Sequence, residues 1–341
     1  LASNPPNFEK SSNDNLAQLG RVLFYDRKLS LDNTISCGSC HLQEKAFADD
    51  GKFSTGINGQ KSTRNAPTVF PKEGQMFWDG RGSNLDEMVL MPITNPMEMN
   101  FTDLTKLCEK LSNTNYYPKL FGKAFGDERI TTDKVRSALK EFVKNFSFTK
   151  NKFAAANSSG SIFSAEEKTG KNLFFGKAKC SECHHIEATK SNGYGVTNEA
   201  HNIGLDYEYA DKGVGDITKD RRKDGQYFNP VLLNIEMTAP YMHDGRFQTL
   251  EEVIEHYDSK VVDNPNLDWR LLDYSDFGSL RDALNSLDRN RNGQIDRDES
   301  KQRGAQNLHL TDYEKSSLVA FLRTLSDLSC ITDSKFSDPF K

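Results

Sequence analysis

Between Thr249 and Tyr257 the chain reads Thr-Leu-Glu-Glu-Val-Ile-Glu-His-Tyr, with the apolar positions Leu250, Val253, Ile254 and Tyr257 at i, i+3, i+4 and i+7. That spacing predicts an amphipathic helix opened by a Thr249/Glu252 capping box, with Tyr257 turned inward and His256 off the apolar stripe. Ser164 and Glu167 open a second helical segment in the same way, and the small polar run Asn157-Ser-Ser-Gly-Ser before it reads as a linker. Strand-type alternation is weak throughout, so the expected fold is all-α. The order helix, cysteine motif, loop, helix occurs twice, a degenerate internal repeat.

A chain of 341 residues suits two domains that each bury a core, divided here as 1–156 and 157–341. No apolar run reaches the roughly 18 residues of a membrane span. The net charge of -5, with Lys and Arg scattered, excludes the concentrated basic face of a nucleic-acid binder. The opening LASNPPNFEK has neither a basic nor an apolar leader region and reads as a mature terminus.

Four of the six cysteines lie in Cys37-Gly-Ser-Cys40-His41 and Cys180-Ser-Glu-Cys183-His184. In C-x-x-C-H two thiols add to the vinyl groups of one haem while the adjoining imidazole ligates its iron. Zinc or a redox dithiol is the other reading of such spacing, but no further ligand pair follows Cys37 and Cys40. Two covalent c-type haems are therefore expected, and their attachment outside the bacterial cytoplasm places the protein in the periplasm. Cys108 and Cys330 could pair or sit as small buried hydrophobes.

Residues 288–299 carry oxygen-bearing side chains at the positions of a calcium loop: Asp288, Asn290, Asn292, Asp296 and Glu299, with Gly293 at the turn and Gln294 supplying its carbonyl. Leu284 and Leu287 before it suit an entering helix. An EF-hand-like insertion in the second domain, binding Ca2+ for structure, is expected.

Three further blocks carry a family resemblance: Arg64-Asn-Ala-Pro-Thr68 with Phe77-Trp-Asp-Gly-Arg81, Met91-Pro92 with Glu98-Met-Asn100, and Thr238-Ala-Pro-Tyr-Met-His-Asp-Gly-Arg246. With the two haem motifs, they make the chain resemble the bacterial dihaem cytochrome c peroxidase and MauG family. The resemblance implies two cytochrome-c-like haem domains: peroxide reacts at the His41 haem, and the His184 haem relays electrons. It makes Glu98 the distal acid-base carboxylate, with Phe77 and Pro92 beside it, Trp78 between the haems, and Asn65, Thr238 and Pro240 the ligands of an interdomain calcium.

Two departures from the usual pattern matter. Ile57 stands where many relatives carry a capping histidine, so the first iron is expected to be open, Lys61 and Met76 being the rival ligands. Tyr257 stands where typical peroxidases carry a Met ligand and MauG a Tyr, with Met242 as its rival; a phenolate stabilises ferric iron. His243 is implied near the second haem, whereas His185, His201 and His309 read as surface or packing residues. The expected activity is reduction of hydrogen peroxide with electrons from a small donor, a monohaem cytochrome or a cupredoxin. The alternatives are a MauG-like oxidase of a protein side chain, weakened by Ala178 where MauG has Trp, and a non-catalytic electron carrier. A homodimer is implied by resemblance alone.

Overall fold

The computed structural model describes residues 14–71, 74–146, 148–159, 162–186, 199–277, 280–287 and 304–341. The calcium-loop residues Asp288, Asn290, Asn292, Gln294, Asp296 and Glu299 lie outside the described residues.

The expected repeat is present as a repeated helix crossing. Asp14 caps the helix Asn15–Tyr25 by accepting from the Leu16 and Ala17 amides. Its apolar face, Leu19, Val22 and Leu23, packs on Val135, Ala138, Leu139 and Phe142 of the helix Thr132–Lys144. The two backbones approach so closely that a Cβ on Gly20 would lie 1.9 Å from the Ala138 carbonyl oxygen. In the second half the helix Ala165–Phe175 packs on Asp312–Arg323 in the same way, with a Cβ on Gly170 placed 1.8 Å from the Ser317 carbonyl and 2.7 Å from Phe321 Cβ. Gly170→Ala forces these helices apart and is expected to lower unfolding free energy by about 1–3 kcal/mol. Gly304→Ala, where nothing lies within 4 Å, should change it by less than about 0.5 kcal/mol. Denaturant midpoints of the two variants check both values.

Between the helices the chain runs mostly in loops and single helical turns, the described strands being Ala200–His201 and Tyr227–Phe228, paired antiparallel. Both predicted capping boxes form, at Ser164/Glu167 and Thr249/Glu252. The expected linker differs: Asn157 to Ser159 complete the helix Lys152–Ser159, so the division at 156/157 falls inside an element.

The C-terminal segment also crosses that division. Gln43 Nε2 donates to the Cys330 and Asp333 carbonyls at 3.0 Å, and Tyr25 Oη donates to the Phe336 carbonyl at 2.7 Å. Phe336 sets its ring edge-on against Phe146 (5.2 Å) and Phe47 (5.9 Å), inside the first half's core. Cys108 and Cys330 are unpaired buried thiols, Cys330 accepting from Asn234 Nδ2 at 3.4 Å.

Candidate functional site

The first cysteine motif is a helical turn, Cys37–Ser39, held by reciprocal hydrogen bonds between Ser36 and Ser39, and it returns the His41 amide to the Cys37 carbonyl at 2.9 Å. His41 Nδ1 donates to the Phe47 carbonyl at 2.8 Å. That bond assigns the proton to Nδ1 and leaves the Nε2 lone pair available to a metal. Burial pushes the His41 imidazole down and the Cys37 and Cys40 thiols up, to about 12 and about 11.

Cys37, Cys40 and His41 line a cavity of about 500 Å³ together with Phe77, Trp78, Pro92 and Glu98. The volume and mostly apolar wall suit a planar macrocycle. Glu98 shares the cavity with His41; Asn95 Nδ2 donates to its Oε1 at 2.7 Å. Burial raises the Glu98 carboxyl above its ordinary range, opposed by the Arg81 charge and the Asn95 hydrogen bond. Arg81 also lines the cavity, stacked 3.9 Å over the Phe77 ring and bonded to Asp79. Ile57 is buried, and its amide donates to the Glu98 carbonyl at 2.9 Å. Among the described lining residues His41 is the only histidine; Met76 is present, whereas Lys61 is exposed and bonded to Thr55.

The second motif repeats the turn, with the His184 amide on the Cys180 carbonyl at 2.9 Å. Burial, then the charges of His201 and His185, pushes the His184 imidazole down to about 4. Asn229 Nδ2 donates to the Cys183 carbonyl at 2.7 Å. Tyr257 stands close to both thiols: burial and the charges of Cys183 and Cys180 hold its phenol well above the usual value. Met242 sits at a turn with φ 73° and is half-buried.

His256, expected off the buried face, is itself buried. Its Nε2 donates to the Ile203 carbonyl at 2.9 Å and its ring centroid lies 5.7 Å from that of Phe247. The helix Leu250–Ser259 is covered on two sides, which a single apolar stripe does not reveal, and the ring bond satisfies the buried nitrogen. His201 is a packing residue, buried with Nδ1 on Asp268 at 2.6 Å, and His309 is exposed. His243 stacks on Tyr227, with centroids 3.7 Å apart.

The two halves meet where Asn65 donates its amide to the His243 carbonyl at 2.7 Å and its side chain to Gly51 at 3.0 Å. Thr238 and Pro240 are buried in the segment leading to His243. Trp78 Nε1 donates to the Asn65 carbonyl at 2.9 Å. Arg64 forks onto Asp211 of the second half at 2.6 and 2.7 Å and also binds Asp79. Burial of Asp211 raises its carboxyl, but the Arg64 bonds outweigh that and hold it low. Arg64→Ala leaves Asp211 without its guanidinium partner, while Asp79 keeps Arg81, and is expected to cost about 3 kcal/mol at neutral pH. Because a lowered carboxyl stabilises only above its unfolded value, this cost shrinks as pH falls through the Asp211 pKa, which urea titrations at two pH values will show.

The Arg64–Asp211 fork and the Asn229–Cys183 bond were not expected from the sequence, and no local pattern marks either, since each partner lies far along the chain.

The model of the di-haem cytochrome c peroxidase family matches residues 14–159. Cytochrome c551 peroxidase of Nitrosomonas europaea is 33% identical over 249 residues, which span 71% of this chain and 72% of that protein. This chain belongs to the di-haem cytochrome c peroxidase family. The family's two c-type haems fit the donor sets at Cys37, Cys40, His41 and at Cys180, Cys183, His184, each a half-buried thiol pair beside an imidazole at the end of the same helical turn. Within the family the chain is also similar to the methylamine utilization protein MauG of Methylophilus methylotrophus, 30% identical over 272 residues, covering 78% of this chain and 77% of that one. A solved MauG-like protein associated with microbial copper homeostasis matches at 29% identity with a TM-score of 0.77, covering 100% of this chain and 98% of that chain. As a peroxidase-family fold, the described part of the molecule has no helix long and apolar enough to cross a membrane.

Proposed function

We propose that this chain reduces hydrogen peroxide to water in the periplasm, at the His41 site, with electrons arriving through the His184 site from a monohaem cytochrome or cupredoxin. The observation that carries the reading is Glu98 on the same cavity as His41, a half-buried carboxylate with its pKa raised. Haem iron bound there supplies the electrons for O–O cleavage. Glu98 takes the proton from the near peroxide oxygen and returns it to the far one, which leaves as water. Two electrons and two protons consumed per peroxide give two waters. Asn95 holds one Glu98 oxygen in place, so the other is free to move the proton. Phe77 and Pro92 keep bulk water off the reacting pair, and Trp78 offers a packed aromatic step toward the second site. With Ile57 in place of a histidine, this segment offers no imidazole that would cap an iron held by His41.

Mixing the oxidised protein with stoichiometric hydrogen peroxide in a stopped-flow spectrometer tests this. A spectral change without any pre-reduction supports an open first site; no reaction until one haem is reduced rejects it.

Tyr257 against the second motif favours a second reading, a MauG-like oxidase that holds two oxidising equivalents across both haems and spends them on a protein side chain. The MauG relatives and the MauG-like structure support the same reading. Calcium belongs to the proposal at two places, Asn65, Thr238 and Pro240 at the seam, and the loop 288–299. Adding Ca2+ at about a hundredfold its Kd to chelated protein is expected to stabilise it by about 2.7 kcal/mol per site. Glu299→Gln should remove the loop's share in a calorimetric melt.

A further inference from the structure

The helix that carries Tyr257 ends at Ser259, and the last carbonyls of a helix have no partner within it. The Lys260 amide takes the His256 carbonyl at 3.0 Å, and the next two carbonyls are met from a distant part of the chain. Gln306 Nε2 donates to the Tyr257 carbonyl at 3.0 Å, and the Leu308 amide donates to that of Asp258 at 2.9 Å. The Asp258 carboxylate is held as well, Oδ1 accepting from the Leu310 amide at 2.9 Å and Oδ2 pairing with Lys315 at 2.8 Å. Among these groups Gln306 has a second attachment. It is buried, and its Oε1 accepts from Lys179 Nζ at 3.4 Å. Lys179 immediately precedes Cys180 and, with φ 56°, is the N-cap of the turn that carries the second cysteine motif. A carbonyl only accepts and an ammonium only donates, so the Gln306 amide has one orientation here, nitrogen to Tyr257 and oxygen to Lys179. Its own main chain is fixed, the Gln306 amide donating to the Leu271 carbonyl at 2.8 Å and the Asp273 amide to the Gly304 carbonyl at 2.8 Å. One buried side chain thus ties the backbone of Tyr257 to the residue beside Cys180.

We propose that Gln306 is the positioning residue of Tyr257: by fixing the Tyr257 carbonyl relative to the second cysteine motif, it holds the phenol ready to ligate the second iron opposite His184. The inference rests on the reading of Tyr257 as that ligand. A phenol carried on a loose helix end loses conformational freedom each time it binds, whereas a tethered one has lost it already, so the tether adds to the strength of ligation. An added ligand competes with Tyr257 for the same coordination position. A Tyr257 that is held less firmly therefore shows itself as tighter binding of the competitor.

The test is an optical titration of the oxidised, haem-loaded protein with imidazole, in which the binding step of the first iron is the internal reference. Wild type is expected to resist imidazole at the second iron, and Tyr257→Phe to admit it freely. Gln306→Leu and Gln306→Glu are expected to bind imidazole at the second iron about tenfold or more tightly than wild type, the scale of one buried hydrogen bond, with the first step unchanged. Gln306→Glu keeps the side-chain volume and an oxygen for Lys179 while removing the donor to Tyr257, so it reads the lost bond apart from lost packing. Asn307→Ala, at the exposed neighbouring position, is expected to match wild type. Gln306 variants that match wild type while Tyr257→Phe binds tightly overturn the positioning role and leave Tyr257 as the ligand. Tyr257→Phe that matches wild type rejects ligation by Tyr257 and the positioning role with it. A Gln306 variant whose first step shifts as far as its second shows a general loosening of the fold and also overturns the proposal.

Discussion

Glu98→Gln is expected to slow peroxide consumption by about 10²–10⁴-fold while leaving both haem spectra in place. The substitution keeps an oxygen for Asn95 Nδ2 to donate to, 2.7 Å away in the wild type, but cannot accept a proton. In the wild type the rate should climb as pH rises through the Glu98 pKa, which burial places above the usual carboxylate range, because only the ionised form removes the peroxide proton. That limb disappears in Glu98→Gln. Stability runs the other way. A carboxyl with a raised folded-state pKa stabilises the fold below its unfolded value and loses that contribution as pH rises through the folded one, so at neutral pH the variant should melt no lower than wild type. A variant that turns over within tenfold of wild type shows that another group moves the proton.

Tyr257→Met is expected to raise the reduction potential of the second haem and to shorten the life of the oxidised product formed with peroxide, because a thioether stabilises ferric iron less than a phenolate does. The raised phenol pKa is no obstacle to ligation. Burial is the main cause; the charges of Cys183 and Cys180 that add to it vanish on thioether formation, and a bound metal cation lowers the pKa of what it ligates. Spectroelectrochemistry decides the point. If the potential of the second haem is the same in both proteins, Tyr257 is a packing residue beside the haem and the oxidase reading loses its main support.

Much of this arrangement was legible in the chain. C-x-x-C-H spacing, capping boxes and the helical stripe are local patterns, and each led to the right element: the turns at Cys37 and Cys180, the helix starts at Ser164 and Thr249, and Tyr257 against the second motif. Asn229 and the Arg64 fork were not legible, because their partners lie far along the chain: Cys183 for the first, Asp211 for the second. His256 was misplaced for a related reason, since a one-face helical pattern says nothing of a loop that covers the opposite side with a carbonyl. The helix across Asn157 shows that small polar residues in sequence need not end an element when Asn151 caps it, its Oδ1 accepting from the Ala154 amide at 2.8 Å.

The return of the C-terminal segment has a consequence for how the molecule is made. Phe336 completes the aromatic cluster around Phe47, and Phe47 supplies the carbonyl that orients His41. A chain folding from its N-terminus therefore has the cluster behind Phe47 without its final ring until residues 329–341 return, so the peptide that orients His41 is held from both sides only once the whole chain is in place.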